Sequence, residues 1–246
     1  MEPVTVGYIG IGLLVILLFS GLHIGIVMGV IGFLGIAYLW GWSSGVGILK
    51  IVPYVTFATY DFSVIHLFVL MGEFCFHGNI SGDLYTVAHK FLGELRGGLA
   101  MATIGACALF AAVSGSSMAT AATMCTVALP EMRKHKYDMG LATGTLAAGG
   151  TLGILIPPSV IMIVYGMITE QSIGQLFLAG FIPGILQALL FIGVIAFICW
   201  RNPALGPAGE KSSWVEKIKS LKGVWIVALL FLLVIGGIYT GIFSPT

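Results

Sequence analysis

Two interrupted apolar stretches carry the residues best suited to chemistry. The first is broken by Ser114-Gly115-Ser116-Ser117, and the second by Pro157-Pro158, which follows Gly149-Gly150 and Gly153. Because proline lacks a backbone N–H and disfavours the helical conformation of the preceding residue, the second stretch cannot be one regular helix. Unwound carbonyls and half-helix C-termini coordinate small cations, whereas half-helix N-termini favour anionic groups. The two breaks therefore predict a transport site.

A purely structural role for both breaks is the alternative. The small residues over 111–122 could simply let helices pack closely, and proline kinks in membrane helices are tolerated without function. The two breaks lie close together in the chain, within residues 114–159, on segments of similar shortness. This coincidence favours a binding site.

The composition indicates a helical integral membrane protein. Charged residues are 9% of the 246, against about 25% in an average soluble domain. Hydrophobic residues are 58%, and the mean hydropathy is +1.06. Such a chain cannot cover a water-facing surface, which excludes a soluble globular protein, a disordered chain and a nucleic-acid binder. The apolar runs are long and unbroken, as in membrane helices rather than β-strands.

The apolar segments predict several short membrane helices. Residues 4–19 and 24–40 can each span, 41–61 is expected to be an interfacial loop with an aromatic belt, and 90–96 an amphipathic helix at the interface. Residues 97–129 predict a re-entrant hairpin with the serines at its tip, and 141–167 a broken helix. Residues 176–200 and 224–239 predict two further helices, separated by the polar segment 201–222.

The basic residues predict the orientation. If residues 97–129 enter and leave on one face, the segments 77–97, 131–138 and 201–222 share that face and hold every Lys and Arg except Lys50. The positive-inside rule makes this face cytoplasmic and places the N-terminus in the periplasm. A single span over 97–129 would divide the charges almost as unevenly, so the count alone does not decide between them.

Other reactive side chains have simpler explanations. Asp61 and His77 are expected at the membrane interfaces, and His66 and Glu73 paired to neighbouring helices, although an intramembrane enzyme using His66 and Glu73 is an alternative. No nucleophile motif or phosphate-binding loop is present. The four cysteines lie in apolar stretches without a CxxC pair, and we expect small buried hydrophobes: Cys75, Cys107, Cys125 and Cys199.

Several motifs resemble the large membrane subunit of TRAP (tripartite ATP-independent periplasmic) transporters. Residues 92–100 (LGELRGGLA) are similar to the start of that family's first hairpin, and 114–122 (SGSSMATAA) to its tip. Residues 148–159 (AGGTLGILIPPS), followed by Tyr165-Gly166, resemble its broken clamp helix. Residues 241–246 (GIFSPT) resemble the family's mid-chain motif. The family usually has other residues at His66, Cys125 and Lys136, none of which lies at the tip.

The resemblance implies an all-α polytopic membrane protein, with broken helices and a re-entrant hairpin, that is one half of an inverted-repeat elevator-type transporter. Such a permease, in the bacterial inner membrane, imports carboxylates or acidic sugars with a sodium gradient. A periplasmic solute-binding protein delivers the substrate, and a small four-helix membrane subunit supports the scaffold. No enzyme activity and no cofactor beyond sodium are expected. The abrupt C-terminus, together with the family's greater length, suggests a partial chain.

The resemblance also implies two residue sets and a division of the chain. The expected domains are scaffold helices over 1–96, part of the transport domain over 97–170 (hairpin 97–130, clamp helix 139–170), and a scaffold helix with the polar loop and the start of the second repeat over 171–246. The sodium ligands would be Ser114, Ser116, Ser117, Gly150, Gly153, Ile156 and Pro158. The substrate carboxylate would contact Ser116, Ser117, Thr120 and Ser159.

Two further alternatives stay open. One is a sodium/dicarboxylate symporter that works without a binding protein, and the other is a non-transporting membrane scaffold subunit. The residues do not identify the organic acid.

Overall fold

The computed structural model describes residues 2–58, 60–78, 80–209 and 212–243, without the side chains of residues 60–62 and 76. Within these ranges the chain is helical and divides into two compact units, Met1–Phe62 and Ser63–Thr246. The helices are α1 (Pro3–Phe19), α2 (Ile24–Trp40), α3 (Trp42–Ala58), α4 (Tyr60–His77), α5 (Ile80–Leu92), α6 (Gly98–Ser114), α7 (Ser117–Lys134), α8 (Met139–Leu155), α9 (Val160–Thr169), α10 (Ile173–Arg201), α11 (Trp214–Ser220) and α12 (Trp225–Tyr239), with a 3₁₀ turn at Leu221–Gly223.

The first unit is built from α1, α2 and α3, with α2 packed against the other two. Gly45 of α3 lies against Ala37 of α2, so closely that a Cβ at Gly45 would be 3.1 Å from the Ala37 Cβ. The predicted interfacial loop over 41–61 is therefore wrong over most of its length. Its aromatic residues suit a bilayer surface but do not prevent a helix, and Pro53 is accommodated inside α3.

The centre of the second unit is α6, which packs against α5, α7, α8 and α10. Its small residues (glycine, alanine and cysteine) let the neighbouring helices approach closely, and fourteen of its residues are buried. Gly149 of α8 shows how close this is, because a Cβ there would lie 2.6 Å from the Cys107 Sγ. A helix that is apolar on all sides belongs at the centre of a bundle, as its sequence indicates.

Three helix boundaries differ from the sequence-based expectations. The amphipathic helix expected over 90–96 is α5, which already ends at Leu92, and the chain then turns and passes through Gly97 at a φ of +74° into α6. Helix α7 continues past Pro130 to Lys134, beyond the predicted hairpin arm. Within the polar loop 201–222, residues 214–220 form α11. Three cysteines are buried as predicted, but Cys125 is exposed on α7.

The length of a helix limits whether it can cross a membrane by itself. Among the described residues, α10 alone is long and apolar enough to cross a bilayer, and the number of candidate spans rises to four if each bent pair of helices is taken as one span. One such pair is α8 and α9, bent by 41° at their break. The fold is an all-helical one, as expected for a polytopic membrane protein.

The predicted polar segments meet at one end of the second unit, which we call the polar end. The N–H of Gly97, just before α6, donates to the carbonyl of Gly206 at 2.8 Å, and the N–H of Asp138, just after α7, donates to the carbonyl of Leu205 at 3.0 Å. The Lys217 ammonium lies 2.7 Å from the Glu94 carboxylate. Helices α6 and α7 therefore form a hairpin whose two ends lie together.

Candidate functional site

The hairpin tip, residues 114–117, is a tight reversal between α6 and α7. Helix α6 ends at Ser114, Gly115 takes a left-handed conformation at a φ of +59°, and Ser116 begins α7 by accepting a hydrogen bond from the Ala119 N–H at 3.3 Å. A Cβ at Gly115 would lie 2.7 Å from the Pro158 carbonyl oxygen. Both the backbone conformation and the available space therefore require glycine here.

The clamp break, residues 156–159, separates α8 from α9. In a regular helix, Pro157 and Pro158 would donate to the carbonyls of Gly153 and Ile154, but neither proline has an N–H to give. The Ser159 hydroxyl replaces one of these bonds by donating to the Ile154 carbonyl at 2.8 Å. The break therefore leaves main-chain oxygen atoms to be satisfied by groups outside the helix.

The two breaks are in direct contact. The N–H of Val160, the first residue of α9, donates to the Gly115 carbonyl at 3.2 Å. A Cβ at Gly153 would lie 2.5 Å from the Ser116 carbonyl oxygen, and a Cβ at Gly150 would lie 2.8 Å from the Ala121 Cβ. The glycines of α8 thus allow the start of α7 to lie against the break.

This contact brings together most of the residues predicted to bind sodium. Ser114, Ser116 and Ser117 lie at the tip, and Gly150, Gly153 and Pro158 lie on the facing segment. Ile156 differs, because its side chain is buried against α10, where a Cβ at Gly184 would lie 2.7 Å from the Ile156 Cγ1. Like Gly150, Gly153 and Pro158, Ile156 can offer a cation only its main-chain carbonyl.

A chain of hydrogen bonds fixes the tip. The Thr120 hydroxyl donates to the Ser116 carbonyl at 2.8 Å, so its one hydrogen is committed. Ser114 must then be the donor in the 2.9 Å bond between its hydroxyl and that of Thr120. Thr120 and Ser159, two of the predicted substrate contacts, are both fully buried and donate to main-chain carbonyls. In this arrangement Thr120 and Ser159 hold the two breaks in position. Ser116 and Ser117, the other predicted substrate contacts, are half-buried.

A cavity of about 260 Å³ lies between α4 and the hairpin tip, and we call it the tip cavity. Sequence reasoning missed the contribution of α4 and of Thr123 to this space. The signals were present, since Gly72 allows close approach and Glu73 is a charge in an apolar stretch. The lining residues are Val69, Gly72, Glu73, Ser114, Ser116, Ala119, Ala122 and Thr123.

The expected pairing of Glu73 with a neighbouring helix is corrected. Its carboxylate lies 3.6 Å from the Nδ1 of His77, one turn along the same helix. A carboxylate near the end of α4 finds this partner without crossing to another helix. Among the described side chains, no three of the types His, Cys, Asp and Glu come together as a metal site. Asp61 lies outside the described side chains.

Comparison with known proteins gives a consistent result. The family described as "Tripartite ATP-independent periplasmic transporter, DctM component" matches residues 11–246. A C4-dicarboxylate TRAP transporter large permease protein of Pseudomonas aeruginosa is 40% identical over 198 residues, which are 80% of this chain and 46% of that protein. A sialic acid TRAP large permease of Vibrio cholerae is 36% identical over 73% of this chain and 42% of its own length.

A third relative extends the range of named substrates. An ectoine TRAP large permease of Halomonas elongata is 35% identical over 73% of this chain and 42% of its own length. The chain spans less than half the length of these three relatives. All three are named as permease proteins of transporters, and none as an enzyme.

Proposed function

The chain belongs to the family of the tripartite ATP-independent periplasmic transporter DctM component, and we propose that it contributes the first inverted repeat of a sodium-driven permease for organic acids. The family consists of transporter permease subunits and not of enzymes, so the enzyme alternative built on His66 and Glu73 is set aside. The observation that carries the proposal is the direct contact of the hairpin tip with the clamp break. Paired helix breaks are typical of transporter binding sites.

The proposed sodium site lies between the tip and the clamp break. Its ligands are hydroxyl and carbonyl oxygens of Ser114, Ser116 and Ser117 and main-chain oxygens of the glycine- and proline-containing segment 150–158. Sodium prefers such hard oxygen ligands, and the carbonyls released by Pro157 and Pro158 belong to the negative end of α8.

The proposed substrate contact lies at the start of α7. The N-terminus of this helix has a partial positive charge, and the hydroxyls of Ser116 and Ser117 can donate to a carboxylate. Thr120 and Ser159 remain in the proposed set, with hydroxyls that must first leave their main-chain acceptors. The substrates named for the relatives suggest a C4-dicarboxylate, sialic acid or ectoine as probes.

The proposed membrane arrangement is an inner-membrane permease with a re-entrant hairpin and a periplasmic N-terminus. The hydrogen bonds from Gly97 and Asp138 to residues 205–206 support the hairpin, because its two ends lie at the same polar end. That end holds most of the basic residues, which favours the cytoplasmic side. In an elevator mechanism, the hairpin and the clamp helix would move together against the scaffold.

The proposed partners are a small four-helix membrane subunit and a periplasmic solute-binding protein. The experiment therefore uses the natural protein that contains this sequence, reconstituted in liposomes with both partners from the same organism. Uptake of labelled succinate, N-acetylneuraminate and ectoine is measured under an inward sodium gradient and under an equal potassium gradient. We expect uptake of one of these probes, only with sodium and only with the binding protein.

Two variants sharpen this experiment. Ser117→Ala should raise the sodium concentration for half-maximal uptake, whereas Ser20→Ala, which removes a hydroxyl that bonds the Leu17 carbonyl within the first unit, should not. Uptake that persists without the binding protein would favour the symporter alternative. Absence of sodium-driven uptake for all three probes, with the partners bound, would favour the scaffold alternative.

A further inference from the structure

The tip cavity presents oxygen acceptors toward α4. Helix α4 approaches the tip at Gly72, where a Cβ would lie 3.4 Å from the Ser114 carbonyl oxygen. Ser114 is the last residue of α6, and a carbonyl in the last turn of a helix has no partner four residues further along that helix. It also lies at the negative end of the α6 dipole. The wall opposite α4 is therefore electronegative at this point.

The hydroxyl oxygen of Ser114, like its carbonyl oxygen, acts as a hydrogen-bond acceptor. Its hydrogen is donated to the Thr120 hydroxyl, because the Thr120 hydrogen is already donated to the Ser116 carbonyl. Ser114 is buried and lines the cavity, and its hydroxyl oxygen can act there only as an acceptor, because its hydrogen is used in the bond to Thr120. Two oxygens of one residue, one carbonyl and one hydroxyl, thus lie where a cation would be favoured.

Glu73 adds a negative charge to the same cavity. Its side chain lines the cavity and is 62% exposed, which allows the carboxylate to reach either inward or toward His77. At 260 Å³ the cavity holds an ion with part of its water shell, so direct and water-bridged contacts both fit. Carboxylate, carbonyl and hydroxyl oxygens together are the ligand types of a hard cation.

We propose that the tip cavity is a second cation site, in which the Glu73 carboxylate and the carbonyl and hydroxyl oxygens of Ser114 hold a sodium ion on the α4 side of the hairpin tip. The proposed junction site lies on the other side of the tip, toward α8, and also includes Ser114, so Ser114 contacts both ions and Glu73 contacts only the second. The proposal rests on the proposed function for the identity of the ion.

The site has a consequence for the order of binding. An empty cavity with the Glu73 charge repels a carboxylate that approaches Ser116, which lines the same space. A bound sodium ion cancels that charge and leaves the start of α7 available to an anion. Glu73 thus makes anion binding depend on prior sodium binding.

The test measures sodium binding by the natural protein in nanodiscs, using ²²Na⁺ titration and thermal unfolding. Glu73→Gln should raise the half-saturating sodium concentration about tenfold, since a charged ligand is lost while the shape is kept. Glu73→Asp should stay within about threefold of the original protein. The control is Glu170→Gln, which removes an exposed carboxylate at the far end of α9 and should leave sodium binding unchanged.

A purely structural role for Glu73 predicts a different pattern. The melting temperature of Glu73→Gln without sodium should equal that of the original protein, and only the sodium response should weaken. A lower melting temperature without sodium, together with an unchanged half-saturating concentration, overturns the inference. If the original protein itself shows no sodium-specific response, the proposed function fails instead, so the two failures are distinguishable.

Discussion

The main-chain N–H of Val160 donates a 3.2 Å hydrogen bond to the main-chain carbonyl of Gly115, and this bond joins the hairpin tip to the clamp break. Neither group has a partner within a helix, because Gly115 follows the end of α6 and Val160 is the first residue of α9. Each break therefore satisfies a polar group that the other one leaves unpaired. This bond gives a ligand that binds one segment a direct connection to the other.

Gly115→Ala should weaken this junction. A left-handed conformation at a non-glycine residue costs about 1–3 kcal/mol, and the new Cβ would also meet the Pro158 carbonyl at 2.7 Å. We expect a lower melting temperature and a smaller stabilisation by sodium. Gly193→Ala is the matched control, because a Cβ at this helical position in α10 meets nothing within 4 Å. The control should be neutral or slightly stabilising, and an equal effect of the two changes would contradict the role of Gly115.

Thr120→Val should loosen the tip with little change in shape. The substitution removes the acceptor of the Ser114 hydroxyl and the donor to the Ser116 carbonyl, in a fully buried position. The expected loss of unfolding free energy is about 1–3 kcal/mol, measured by chemical denaturation. Thr143→Val, which removes an exposed hydroxyl bonded to the Met139 carbonyl, should change stability by less than about 0.5 kcal/mol. A loss no larger than that of the control would show that the chain of hydrogen bonds contributes little.

Glu94→Gln should release the polar segment after α10. The Glu94 carboxylate accepts from the Ser212 N–H at 3.0 Å and lies 2.7 Å from the Lys217 ammonium, whose side chain is only 12% exposed. Removing one partner of a mostly buried ion pair leaves the other charge uncompensated. Trypsin should then cleave after Lys217, Lys219 or Lys222 several-fold faster.

Glu131→Gln is the control for that experiment. Its contacts with Lys134 and His135 are 3.9 and 3.8 Å long and largely solvent-exposed, so screening by water makes them weak. Cleavage at the same lysines should be unchanged. Equal cleavage of the two variants would mean that Glu94 does not hold the segment.

The stability of the polar end should decrease in mild acid. Burial of His89 on α5, together with the nearby His135 and Lys90, lowers its pKa below the usual 6.5. The unfolded chain therefore binds this proton at a higher pH than the folded chain does, and stability falls as the pH drops through about 6.5. Below the folded pKa the loss levels off.

The measurement is the melting temperature in detergent between pH 7.5 and pH 5. His89→Gln should flatten the decline, because the half-buried titrating ring is gone. His23→Gln, at an exposed position before α2, should keep the slope of the original protein. A slope in His89→Gln as steep as in the original protein would assign the pH dependence to other groups.

The sequence predicts the breaks well because each depends on local chemistry. Pro157 and Pro158 lack backbone donors and bar a regular helix, and Gly115 between serines favours a turn. The sequence does not predict α3, because Trp42 and Pro53 are also typical of an interfacial loop. It also missed the place of Glu73 beside the tip, because that position depends on how α4 packs at Gly72. Contacts between distant segments leave no periodic signal in the sequence.

The most direct test of the central claim is thermal unfolding of the natural protein in sodium and in potassium at equal ionic strength. A site that holds sodium only in the folded state stabilises by about 2.7 kcal/mol at a concentration one hundred times its Kd. We predict that sodium raises the melting temperature, that potassium does not, and that Ser117→Ala reduces the sodium shift. An equal response to both ions would contradict the sodium site at the hairpin tip.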